Sequence, residues 1–250
     1  MLKRMIRPSP NQVRETGLAA MAGGALGLLC APLYSLAYFA TDDGAPSTES
    51  ASVQAWTEPA RDLLAPLLTF ASPDTVYLTY GKLLLFVWIG MLAGLVGLHA
   101  RHAGHAGRLE RWGFRASLVG LLLLTIGAFG AYWLELGETV FAAFIVPGLL
   151  LVTFGATLFG LGTWRASMAP RTGAALLIVG GFPGMFLISE LATLGGGLVL
   201  LYLAWLVLGH SLRSQQATPA YGACNGNRGN RRSARSGITA PTPRSPSSAR

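Results

Sequence analysis

A chain of 250 residues that is 52% hydrophobic but only 12% charged, with a mean hydropathy of +0.47, lies far from a water-soluble domain, which carries about 25% charged residues. The net charge of +8 and pI near 10.1 would suit a nucleic-acid binder, but no aromatic platform interleaves the tail arginines to stack successive bases, so no nucleic-acid partner is expected. A β-barrel is excluded as well, because its strands need ~10-residue segments alternating apolar and polar, whereas the apolar runs here are apolar on every side.

Six such runs, 17–40, 77–100, 114–134, 140–162, 172–189 and 191–208, come near the ~20 residues that cross ~30 Å of hydrocarbon as a helix. Lipid offers no hydrogen bonds to a bare backbone, so each run is predicted to be helical. The fold class expected is all-α: a polytopic membrane protein with six transmembrane helices over 17–212, an outer amphipathic interfacial helix and a disordered C-terminal tail.

Residues 1–16 form a basic arm with Lys3, Arg4, Arg7, Arg14, Pro8 and Pro10, expected to be flexible. The first run is too long for a signal-peptide core, and bulky Leu29 before Cys30 spoils a lipoprotein signal, so it is read as an uncleaved span. In the segment 41–76, residues 41–52 have loop composition. A helix is predicted over about 57–70, with Thr57 as N-cap and an apolar face of Trp56, Ala60, Leu63, Leu64, Leu67 and Ala71. Pro66 is expected to kink or stop it. Too short and polar to span, it is expected to lie on the outer interface or over the mouth of the bundle. Ser72-Pro73 then opens the helix of the second run, with Lys82 one turn inside and able to snorkel.

The loop after the second run carries Arg101, Arg108, Arg111 and Arg115, and the loop after the fourth carries Arg165 and Arg171. Glu135–Glu138 and Glu190–Thr193 make short hairpin turns, and residues 213–250, rich in Ser, Arg, Gly, Asn and Pro, lack the apolar content to offset their ordering entropy. With this threading, all of the 19 basic residues except Arg61 and Lys82 fall on one side, and nine of the 11 acids on the other. Positive loops stay inside. The expectation is a multi-pass protein of the cell (inner) membrane with cytoplasmic N- and C-termini. Cys30, in a span, and Cys224, in the tail, are not expected to pair.

Pro32, Pro147 and Pro183 all fall in the outer halves of spans and are expected to kink them, Pro183 among Gly180, Gly181 and Gly184. Kinks at one depth could open an outward cavity. Glu135, Glu138 and Glu190 sit near its rim and Trp56 near its cover, so these four residues are the candidate ligand-binding set. The competing reading is that the carboxylates cap solvated turns. His99, His102 and His105, spaced by three, are weak metal candidates: their bearings fan over about 120° on a helix, and Arg101 and Arg108 would repel a cation. No metal site is therefore expected. Nor is a cofactor, since a haem held by His99 and His210 would need deeper ligands. Tyr34, Tyr38, Tyr77, Tyr80, Tyr132 and Trp133 read as an aromatic belt at the outer boundary. Gly23-x3-Gly27, Gly90-x3-Gly94 and Gly180-x3-Gly184 read as close-packing seams.

No ionisable group falls at the centre of a span, where transporters and pumps carry theirs, and no nucleophile–base or metal-ligand constellation is present. The chain therefore reads as a non-enzymatic membrane component or accessory subunit, whose partners would be the lipid bilayer and another membrane protein or a second copy. The alternative is a small-molecule or ion permease using the outer cavity.

Overall fold

The computed structural model describes residues 9–102, 107–166, 169–189 and 198–214. Within them every regular element is helical and no strand occurs. Four stretches, Asn11–Tyr38, Pro73–Arg101, Arg108–Trp133 and Phe141–Arg165, are long and apolar enough to cross a membrane. Two shorter apolar helices, Arg171–Gly180 and Val199–Ser214, complete the set.

Helix α1 runs Pro10–Tyr38, beginning seven residues before the expected span. Ser9 accepts from the Gln12 amide and the Gln12 side chain returns to the Ser9 amide, with Pro10 at the first position. This capping box starts the helix in a polar segment that hydropathy does not mark. The helix also passes through Pro32 without ending. Helix α2 runs Ala51–Leu68, six residues earlier than expected. Its N-cap is Ser50, whose hydroxyl accepts from the Val53 amide, and Thr57 is buried within it. Pro59 and Pro66 do not stop it. The carbonyls they leave unpaired belong to Ala55 and Asp62, both exposed, where an orphan acceptor costs little.

Helix α3 spans Pro73–His102, starting at the expected proline. Helix α4, Arg108–Ala128, continues into a π-helical turn, Phe129–Trp133. A short α5, Glu138–Val140, leads through a second π turn, Phe141–Ile145, into α6, Val146–Arg165. Pro147 explains that second turn. It has no amide to give the Ala143 carbonyl, and its ring crowds that group. The ladder instead widens, with the Val146 amide donating to the Phe141 carbonyl. The predicted fifth span is two helices, α7 (Arg171–Gly180) and α8 (Phe182–Ser189), broken at Gly181. Helix α9 is Val199–Ser214. Residues 190–197 and the tail from 215 lie outside the described residues, and with them Glu190, the second hairpin turn and the expected disorder.

The helices pack in succession. α1 lies on α3, α3 on α4, α4 on α6, α6 on α7 and α7 on α9, and α9 returns to α1, closing a ring. The α4–α6 seam is the tightest and has a sequence signature of its own: Gly113, Gly120 and Gly127 face the α6 side, and Gly148, Gly155 and Gly162 answer them, each set at a strict seven-residue spacing. A side chain at Gly113 would strike the Phe159 backbone, and one at Gly120 the Val152 amide. Such bare faces let backbones approach, the usual basis of helix association where apolar burial gives no preference over lipid. The predicted seams are also used: Gly23 meets Gly90 between α1 and α3, and Gly180 meets Leu200 and Leu201.

These contacts sort the ends of the ring. Gly17 meets Gly209, Thr16 meets Gly97, Glu110 meets Gly162 and His99, and Gly173 meets Leu208. One end thus gathers Arg14, Arg101, Arg108, Arg111, Arg115, Arg165, Arg171 and Arg213. The opposite end carries the Tyr34–Tyr77–Tyr132 contacts and the Lys82–Glu135 pair. Helix α2 packs near that second end, its Arg61 donating to the Phe39 carbonyl just beyond α1 and its Leu67 carbonyl accepting from the Tyr80 hydroxyl of α3.

Candidate functional site

Three tyrosines from three elements meet at the acidic end of the ring. The Tyr34 hydroxyl of α1 lies 2.6 Å from that of Tyr132 and 2.9 Å from that of Tyr77, on α3, and Tyr77 and Tyr132 are 3.5 Å apart. Tyr132 belongs to the first π turn. It continues the buried face of Leu121, Leu124 and Ala128 at helical spacing and is turned inward. Its ring sits over Gly81, where any Cβ would collide with it. Tyr34, Tyr80 and Tyr132 are buried while Trp133 is exposed, so these three tyrosines depart from the predicted aromatic belt. Distance from the span centre gives depth but not bearing.

Below the hydroxyls lies a small cavity walled by Tyr34, Trp88, Leu124, Tyr132, Phe141 and Leu198, among others, with a volume of about 30 Å³. A water needs roughly 10–15 Å³ of such space, so it accommodates water-sized guests. No charged residue lines it. Three hydroxyls carry three protons, enough for each to donate once within the cluster. The site is therefore neutral and internally satisfied: it can orient a water or fasten three helices, but it presents neither a nucleophile nor a base.

A second irregular point is the break at Gly181. The Phe182 amide, first of α8, donates to the Thr157 hydroxyl of α6 at 2.9 Å, and that hydroxyl lies 3.1 Å from the Thr153 carbonyl. A neighbouring helix thus satisfies a backbone donor that the break releases, the condition under which broken helices persist in lipid.

A third feature occupies the basic end. Glu110, in the first turn of α4, is 1% exposed, with Oε1 2.9 Å from His99 Nδ1. The His99 ring stacks on Phe114, centroids 3.8 Å apart. Glu110 Oε2 and Ser117 Oγ, seven residues apart on the same α4 face, are buried without a hydrogen-bond partner in the described structure. The His99 ring is thus held between Phe114 and the buried Glu110 side chain. The His102 side chain and His105 lie outside the described residues. Among those described, no three His, Cys, Asp or Glu side chains group as metal ligands.

Of the four candidate ligand-binding residues from sequence, the side chains of two, Glu135 and Trp56, are described. Glu135 is exposed, has positive φ (53°) in the hairpin turn beside Gly137 (71°), and lies 3.9 Å from Lys82 Nζ rather than at the cavity. The Glu138 side chain and Glu190 lie outside the described residues. Trp56 is half-buried, its ring on Phe39. Pro147 and Pro183 mark the π turn and the helix break, and Pro32 lies within a continuous α1. Sequence reasoning missed Glu110, the tyrosine cluster and the seven-residue glycine spacing. That spacing was the available signal, since Glu110 extends the face of Gly113, Ser117 and Gly120. No protein-family model, curated protein or solved structure matches the chain.

Proposed function

We propose that the chain is a six-span integral protein of the cell (inner) membrane with both termini in the cytoplasm, acting as a non-enzymatic component that packs with another membrane protein or a second copy. The observation that carries this reading is the ring. Its outward positions bear large apolar side chains, including Phe86, Ile89, Val96, Leu122, Ile126 and Phe154, all exposed in the isolated chain, while its inward seams are glycine-lined. Lipid or protein must cover such a surface. The two shorter helical stretches, α7 with α8 and α9, fill the fifth and sixth places in the ring, and the gathering of arginines at one end supports the orientation through the positive-inside bias. Resistance to alkaline extraction, combined with cysteine labelling in intact cells, tests the placement. Labelling near Asp42 but not near Arg108 is expected, and the reverse pattern would invert it. Isolation of native complexes tests the role, with a stable companion chain expected.

The permease reading retains two supports, the break at Gly181 and the π turns beside the cavity, since discontinuous helices line many transport sites. Against it stand the cavity's small volume and the Glu135–Lys82 pairing. Flux into vesicles carrying wild type or Glu190→Gln separates the two. Equal, negligible flux leaves only the packing role.

A further inference from the structure

Helix α2 divides its circumference among three surroundings rather than two. At about 100° per residue, Val53, Thr57, Ala60, Leu64 and Leu68 share one arc, turned toward the bundle, with Val53 and Thr57 fully buried. Glu58 and Asp62 define a second, exposed arc. Leu63 and Leu67 define a third, which Phe70 continues just beyond the helix, and these three are 80%, 48% and 55% exposed. The apolar and acidic arcs lie roughly 130° apart. The single apolar face expected from sequence is thus split in two, with only part of it meeting the bundle.

From this geometry we infer that the Leu63–Leu67–Phe70 stripe is a lipid contact, holding α2 in the plane of the outer interface with its acidic arc in water. The inference rests on the six-span reading above and assigns the occupant of one surface within it. Two tethers set the depth. Tyr80, eight residues into α3, donates to the Leu67 carbonyl at 2.8 Å, and Arg61 donates to the Phe39 carbonyl just past the end of α1 at 3.1 Å. The stripe is therefore held at the level where the spans enter hydrocarbon. A second copy of the chain is a poorer occupant, because three such side chains offer on the order of 350 Å², against roughly 800 Å² per partner in a standard interface. The helix lacks the cationic face of a typical surface-seeking helix, its exposed polar arc being acidic. Its attachment should therefore depend on the stripe and the tethers, and not on anionic lipid.

The test uses full-length protein carrying Cys30→Ala and Cys224→Ser, reconstituted in phosphatidylcholine bilayers, with a nitroxide at Leu63→Cys, Asp62→Cys or Ile126→Cys. Collisions with dissolved oxygen and with a water-soluble nickel chelate are measured at each. Leu63 is expected to match the span position Ile126 and to exceed Asp62 severalfold in its oxygen-to-nickel ratio, unchanged when anionic lipid is added. A Leu63 ratio equal to that of Asp62 would place the stripe in water and overturn the inference. Protection of Leu63 from both reagents, with spin–spin broadening between chains, would overturn it in favour of a second copy. If Ile126 itself favours nickel, the membrane reading fails first, an outcome distinct from failure at Leu63 alone.

Discussion

The two ends of the helical ring are closed by different chemistry. Toward the basic end the closure is regular: Gly113, Gly155 and Gly162 bring α4 and α6 together, and a carboxylate, Glu110, is sealed beneath His99 and Gly162. At the acidic end it is irregular. Two π turns flank the hairpin, a small cavity remains, and three neutral hydroxyls join α1, α3 and the turn after α4. Regular seams can be continued by repetition of one residue type, whereas the hairpin end must reconcile Pro147, a positive-φ turn and inward aromatic rings. The tight end depends on the absence of side chains, and the loose end on hydrogen bonds that tolerate imperfect packing.

The comparison breaks most readily at the seam. Gly155 lies against Ser117 and Ala116 backbone atoms, so Gly155→Leu must force α4 and α6 apart. Overpacking of this kind costs about 3 kcal/mol or more where the obstacle is backbone. Loss of the monodisperse detergent-solubilised species is expected, read by size exclusion and thermal unfolding. If the variant melts with wild type, the seam is not close-packed. Next in size is Glu110→Ala, which leaves His99 without its acceptor and opens space beside Gly162. A drop of about 2–3 kcal/mol is expected from the lost contact together with the space the truncation opens. Glu110→Gln, which keeps the shape and one acceptor, is expected to lose less. Equal losses in the two variants would show that packing, not the contact with His99, accounts for Glu110.

How much of this was legible beforehand varies with the kind of signal. Apolar runs located the helices, because lipid enforces helix on any long apolar stretch. Helix starts were misplaced at Ser9 and Ser50, where a polar cap extends the helix beyond its apolar run, but not at Ser72-Pro73. The seven-residue glycine spacing is present in the sequence, but only four-residue pairs were sought, so the α4–α6 seam went unnoticed; the pairs at Gly23 and Gly90 marked packing faces without saying that they meet. The tyrosine cluster was not legible. Tyr132 continues the buried face of Leu121, Leu124 and Ala128, but no pattern in the sequence says which tyrosines of the other helices meet it there. The approach of Glu135 to Lys82 was not legible either, because the positive-φ turn conformation sets it and Lys82 reads from sequence only as a residue able to snorkel.

At the loose end the expected effect is smaller. Tyr34 is the shared member of the two shorter hydroxyl contacts, so Tyr34→Phe removes both and leaves the rings in place. A loss of about 1 kcal/mol is expected, in line with a net protein hydrogen bond, and Tyr77→Phe should cost less because its contacts are longer. The thermal midpoints of both single variants and the double variant check this. Additive losses would mean that the hydroxyls do not act as one cluster.

The smallest effect belongs to the ion pair at the rim. Lys82 and Glu135 approach to 3.9 Å with both side chains substantially exposed, and exposed pairs contribute about 0–1 kcal/mol. Yet Lys82 also presents its backbone carbonyl to the Trp133 indole at 3.4 Å, a contact that survives any side-chain change there. Lys82→Met keeps the apolar stem and deletes only the charge, so its midpoint should shift little, and the shift should vanish at high salt because screening already weakens the pair. A large, salt-insensitive loss would mean that the pair is sealed from solvent in the bilayer. The rim would then be as dry as the Glu110 site, and the contrast between the two ends would rest on their side chains rather than on their access to water.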